Sequence, residues 1–137
     1  MPVLVDTSVW IDFFRGRATP QVTRLKELVG QQEILLGDLI LAEILQGVRE
    51  HEVARVEKAF TAFRVVPLVG EAVARQSAAD YRALRSRGIT VRKTIDCLIA
   101  TWCIRNATPL LHADRDFLPF VDLGLIDAGP VRSDLVI

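Results

Sequence analysis

Four acids stand in apolar frames in this chain: Asp6 in VLVDTS, Glu43 in LILAEIL, Asp96 in TIDCLIA and Asp114 in LLHADRD. A carboxylate carried from water into an apolar setting is driven toward its neutral form unless something positive meets it. Singly, each acid has an ordinary use. Asp6 or Asp114 can cap a helix or turn, Glu43 can face water, and Asp96 can offset the dipole at the start of its helix. Gathered at one sheet edge, they repel each other unless a divalent cation collects them. Oxygen-only ligands select hard ions, so the expected cofactor is Mg²⁺ or Mn²⁺ rather than zinc. The zinc motif that His51 and Glu52 begin lacks its second histidine, because Arg55 stands there, and His112 is a lone histidine on a strand. An ion so held lowers the pKa of a coordinated water.

Such a constellation needs elements that bring distant residues together. Val3 to Val5 is a short apolar run bounded by Asp6 and predicts a buried strand, and Ile34 to Leu36, Val65-Val66 and Leu110 to His112 predict three more strands. Leu125-Ile126 is a candidate last edge strand. Helices are expected between them. One begins near Ser8 as cap, one at Thr19-Pro20, one at Asp38, and one follows Val53, Val56, Phe60 and Phe63. A helix over about Glu71 to Ser86 is expected to turn Ala74, Ala78, Tyr81 and Leu84 inward and to stop at Gly88. Thr94 to Arg105 is apolar nearly all round, which marks a buried helix with Asp96 as its only acid. Strands alternating with helices imply a three-layer α/β sandwich, with a central, mainly parallel sheet of four to five strands and helices on both faces. Ligands bind such sheets at the carboxyl ends of the strands. Asp6 directly follows the first strand and Asp114 lies just past the fourth, so those two ends are expected to be neighbours.

Length and composition set the limits. The 137 residues suit a single domain over 1–137, and half of them are hydrophobic. Lys plus Arg number 17 against 17 Asp plus Glu, so a polyanion must be met by a local patch rather than by net charge. No apolar run of about 18 residues is present, and Asp6 and Asp12 interrupt the N-terminal stretch, so neither a membrane span nor a signal peptide is expected. Cys97 and Cys103 stand six residues apart on one helix, ~9 Å along its axis, beyond the ~7 Å that disulfide Cα atoms require. They are expected to be reduced core residues of a cytoplasmic protein.

The blocks VLVDTSVWIDFF, LAEILQG, IDCLIA and LLHADRDF, in that order and at these separations, resemble PIN-domain ribonucleases, and within them the VapC toxins of bacterial and archaeal toxin–antitoxin pairs. The resemblance runs from Val3 to about Asp127. It implies a PIN-like parallel-sheet fold, Mg²⁺- or Mn²⁺-dependent endonucleolytic cleavage of RNA, a homodimer, and a VapB-type antitoxin that silences the site. The acids that match the family motif are Asp6, Glu43, Asp96 and Asp114. Asp6, Asp96 and Asp114 are expected as direct metal ligands, with Glu43 holding a second ion or orienting the attacking water. Asp116 matches a less regular acid and is expected behind the ligands, as are the hydroxyls of Thr7 and Ser8. No acidic position departs from the pattern.

Two surfaces remain. Arg82, Arg85, Arg87, Arg92 and Lys93 form a basic stretch that no acid interrupts and that leads into the helix of Asp96. Arg92 and Lys93 are candidates to grip RNA phosphates; otherwise the stretch is a solvated helix end and loop. Trp10, Phe13 and Phe14 divide between the core and an apolar groove for an antitoxin segment. A non-toxin PIN nuclease of RNA processing is the nearest alternative. An acidic-pocket phosphotransfer module is a further one, although Ser8 stands where an aspartyl-phosphate enzyme would want its second acid.

Overall fold

A computed structural model describes residues 1–130; residues 131–137 of the expected single domain lie outside that description. The chain runs β1 (Val3–Val5), α1 (Thr7–Phe14), α2 (Pro20–Leu28), β2 (Ile34–Gly37), α3 (Asp38–Gly47), a 3-10 turn (Glu50–Glu52), α4 (Val53–Phe60), β3 (Arg64–Val66), α5 (Glu71–Ser86), α6 (Thr94–Arg105), β4 (Leu110–Leu111) and a 3-10 segment (Arg115–Leu123). The expected α/β fold is present. Its sheet has four strands in the order β3-β2-β1-β4, every pair parallel. Leu125-Ile126 adds no full strand; one parallel bridge joins Leu110 to Asp127.

The strand order fixes the layers. From β1 the chain moves outward to β2 and β3, then returns across the sheet to β4 on the other side of β1. Right-handed crossovers therefore put α1 to α4 on one face and α5 and α6 on the other. The packing of α1 on α2 and α3, and of α5 on α6, agrees. The direction of winding reverses between β1 and β4, which opens a crevice at their carboxyl ends.

Short strands suffice because β1, β2 and β4 are buried throughout, while the edge strand β3 leaves Arg64 and Val65 exposed. Leu4, Val5, Leu36, Leu110 and Leu111 are wholly inaccessible, and burying each such side chain stabilises the fold by roughly 1.5–3 kcal/mol. Gly37 ends β2 where a Cβ would overlap the Leu68 side chain. Asp38 holds Leu68 there, its Oδ1 accepting from the backbone N–H groups of Leu39 and Leu68. Asp38 is thus the first residue of α3, with Gly37 as the cap.

Three local expectations change. Asp6, not Ser8, caps α1, and its carboxylate accepts from the Ser8 N–H. Helix α5 buries Val73, Ser77 and Leu84, while Ala74, Ala78 and Tyr81 face outward. Apolar spacing misplaced that face because the α5–α6 contact is partly polar: Ser77 Oγ meets Cys97 Sγ at 3.2 Å, and Thr101 Oγ1 donates to Asp80 at 2.9 Å. Trp10 is 2% exposed and lines no groove. It packs edge-on to Phe13 and Phe60 and stacks on Phe14, with centroids 5.1–6.0 Å apart. Cys97 and Cys103 are buried free thiols, and burial pushes both away from the reactive thiolate.

Candidate metal centre

The crevice between β1 and β4 collects the acids. Asp6 follows β1 and is 5% exposed. Its N–H donates to Leu111 O on β4, at 2.9 Å. Its Oδ2 accepts from the Ser8 N–H at 3.0 Å and the Ser8 hydroxyl at 2.6 Å. The same hydroxyl accepts from the Ala113 N–H at 3.1 Å, so Ser8 ties the two strand ends together. Burial raises the pKa of Asp6, and the Ser8 hydrogen bonds pull it part of the way back.

Asp96 enters from the opposite face, in the first turn of α6, and is 6% exposed. Its Oδ2 is buried without a hydrogen-bond partner among the described residues. Its pKa is raised to about 7, first by burial, then by the charges of Asp6 and Asp114 and, more weakly, Glu43; Lys93 pulls the other way. Glu43 projects from α3 and accepts from the Thr7 hydroxyl at 2.9 Å. Asp114 caps the 3-10 segment, its Oδ1 accepting from the Asp116 N–H at 2.9 Å. One carboxylate oxygen from each of Asp96, Asp114 and Asp116 lies within 4.8 Å of the others.

The structure sets Asp96, Asp114 and Asp116 closest together, with Asp6 and Glu43 near enough for their charges to act on Asp96. The tight turn brings Asp116 round: two residues after Asp114, it folds back onto the Asp114 carboxylate. Thr7 and Ser8 support acids, Thr7 at Glu43 and Ser8 at Asp6. Sequence reasoning set His112 aside as a lone histidine, but it is 7% exposed and its Nδ1 accepts from the Asp114 N–H. A polar ring directly after a buried strand and two residues before a site acid was the available signal. Arg115 makes no ion pair among the described residues, nor do the five acids.

These residues fit a hard divalent cation. Carboxylate oxygens of Asp96, Asp114 and Asp116 converge, one buried Asp96 oxygen has no partner among the described residues, and the charge of Lys93 eases Asp96. Glu43 also lines a groove of about 430 Å³ with Ile11, Phe14, Arg15, Ile44, Val48 and Arg49. Arg92 and Lys93 are exposed and lead directly into α6.

A parallel sheet whose switch point carries unpaired carboxylates defines a metal-demanding acidic α/β domain. The PIN domain family matches residues 3–120, and the chain belongs to that family. Its relatives include ribonuclease VapC19 of Mycobacterium tuberculosis, 37% identical over 123 residues, which cover 88% of this chain and 95% of that one. Ribonuclease VapC11 of the same organism is 30% identical over 118 residues, 84% of this chain and 88% of that one. Among solved structures, VapBC2 from Rickettsia felis bound to a DNA fragment from its promoter superposes with a TM-score of 0.74. That match has 15% identity and covers 92% of this chain and 96% of the other. This family membership removes the phosphotransfer alternative.

Proposed function

We propose that this chain is a VapC-type toxin: a single-domain, divalent-metal-dependent endoribonuclease that acts in the cytoplasm as a homodimer and is silenced by a VapB-type antitoxin. The observation that carries the reading is the unpartnered Asp96 oxygen among acids at the switch point, in a chain whose relatives are VapC ribonucleases. Asp6, Asp96 and Asp114 are the proposed ligands for Mg²⁺ or Mn²⁺, and the position of Asp116 makes it a fourth candidate. Ser8 fixes Asp6, and Thr7 orients Glu43 toward the place of the attacking water. When bound, the ion supplies positive charge that acidifies the attacking water and stabilises the phosphorane-like transition state. No helix among the described residues is long and apolar enough to cross a membrane, and two buried free thiols suit a reducing compartment.

The antitoxin reading has a place in the structure. With Trp10 in the core, the apolar side chains on offer are Ile11, Phe14 and Val48 in the groove that Glu43 also lines. A segment lying there with a basic side chain toward the acids would occupy the metal centre and exclude RNA. Expression of the chain alone is expected to arrest growth, and co-expression of the antitoxin to relieve the arrest. Asp6→Asn removes toxicity while the complex still forms. Continued arrest by Asp6→Asn would mean that the toxicity does not come from this centre.

For RNA, charge reversal at Arg92 and Lys93 weakens binding and flattens its salt dependence. Each lost phosphate contact lowers the slope of log K against log salt by about 0.7 for a single strand. Filter binding across a salt series reads it, and an unchanged slope returns both residues to a solvated loop.

A further inference from the structure

His112 has no part in the reading above, yet it is one of few buried polar side chains, and it sits where the chain leaves β4 for the acids. Within three residues of Leu111 the backbone must turn out of the sheet and aim Asp114 at Asp96. Three hydrogen bonds hold that path. The Ala113 N–H donates to Ser8 Oγ at 3.1 Å, and the Asp116 N–H donates to Asp114 Oδ1 at 2.9 Å. The third runs from the Asp114 N–H to His112 Nδ1 at 3.2 Å. The ring is held in place for this. It packs on Phe117, centroids 4.9 Å apart at 51°, and Phe117 is itself fully buried. Accepting at Nδ1 places the proton of the neutral ring on Nε2.

We propose that His112 is a positioning residue: its Nδ1 anchors the backbone of Asp114 so that the Asp114 carboxylate meets the ion in a fixed direction. The proposal rests on the metal-centre reading. The division of labour is specific. Asp116 occupies one oxygen of the Asp114 carboxylate, Ser8 holds the preceding residue, and His112 fixes the backbone from which that carboxylate extends. An apolar side chain of similar size would fill the same space against Phe117 and leave the Asp114 N–H free to rotate. Groups that orient metal ligands typically change affinity by about 10–100-fold when removed.

Two substitutions separate the acceptor from the packing. His112→Asn keeps an acceptor, because its Oδ1 lies one bond from Cγ as Nδ1 does, but gives up the ring. His112→Phe keeps a ring against Phe117 and gives up the acceptor. Amide hydrogen exchange at Asp114 is measured in the metal-free proteins, and Mn²⁺ affinity by titration calorimetry. Expected are faster Asp114 exchange and at least about tenfold weaker Mn²⁺ binding in His112→Phe, with both restored toward wild type in His112→Asn. If His112→Phe does not fold, His112→Leu takes its place. The reverse ranking, with the ring-bearing variant normal and the asparagine impaired, would assign His112 to packing and overturn the proposal. So would equal behaviour of all three proteins. Failure of the wild type itself to bind Mn²⁺ would instead count against the metal centre, while the exchange measurement would still decide the anchoring.

Discussion

Asp96→Asn makes the metal-free protein more stable at pH 8 and abolishes its response to Mn²⁺. Asp96 is buried, faces Asp6 and Asp114, and has one oxygen without a partner. Its pKa of about 7, against an ordinary 3.8, means that the folded state resists its ionisation. The resulting cost is absent below the ordinary value, grows as pH rises through the interval, and is complete above about 7. A shift of this size corresponds to a cost on the order of 4 kcal/mol. An amide avoids the charge repulsion but keeps a buried polar group, so the recovery is smaller, about 1–2 kcal/mol. For a domain of this size that raises the melting temperature by several degrees. Near pH 3, below the ordinary value, where both states carry the proton, the difference disappears. Wild type gains stability when Mn²⁺ is added and Asp96→Asn does not. A variant less stable than wild type at pH 8 would show that Asp96 is held by contacts rather than strained by its neighbours.

Mn²⁺ affinity falls steeply on the acid side of neutrality. Ligating carboxylates must be ionised, so a proton on Asp96 competes with the ion. Above about pH 7 that competition is weak. Below it, affinity drops by up to about tenfold per pH unit, and the raised pKa of Asp6 works in the same direction. Because Asp6 and Asp96 interact, the curve reports the titration of the pair rather than of either residue. Calorimetric titration at pH 6 and pH 8 is expected to differ by about tenfold. Asp12→Asn, on the outer part of α1 where Asp12 pairs with Arg17, serves as a control that leaves the curve unchanged. Equal wild-type affinity at the two pH values would mean that the ion does not bind at these acids.

The four strands were legible because each is a compact apolar run with a cap, glycine or proline residue at one of its ends, as Val3–Val5 before Asp6 and Leu110–Leu111 after Pro109 show. Helix α6 was legible because a run from Ile95 to Ile104 with a single acid has nowhere to go but inside. The site acids stood out for a related reason: a charge in an apolar frame is costly wherever the frame is buried. The neighbouring ends of β1 and β4 followed from the acids, and the observed strand order places them together. What escaped was what small polar residues do once packed. Ser77 and Thr101 turn a face of α5 that spacing assigned to Ala74 and Ala78. Asp116 joined the inner acids through a two-residue turn that carries no periodic signal. Trp10 in the aromatic cluster, and the Nδ1 of His112 beneath Asp114, depend on tertiary neighbours far along the chain or on ring orientation, neither of which a linear pattern encodes.

The central claim is that these acids cut RNA by holding a divalent ion. The direct measurement is cleavage of a labelled RNA by highly purified protein, in EDTA and after Mg²⁺ or Mn²⁺ is restored, for wild type, Asp6→Asn and Asp96→Asn. Wild type is expected to be inactive in EDTA and to regain cleavage with either ion, while both variants stay folded and at least about a hundredfold slower, a loss of some 2.7 kcal/mol of transition-state stabilisation. Full cleavage by wild type in EDTA, or by either variant with metal present, would contradict it.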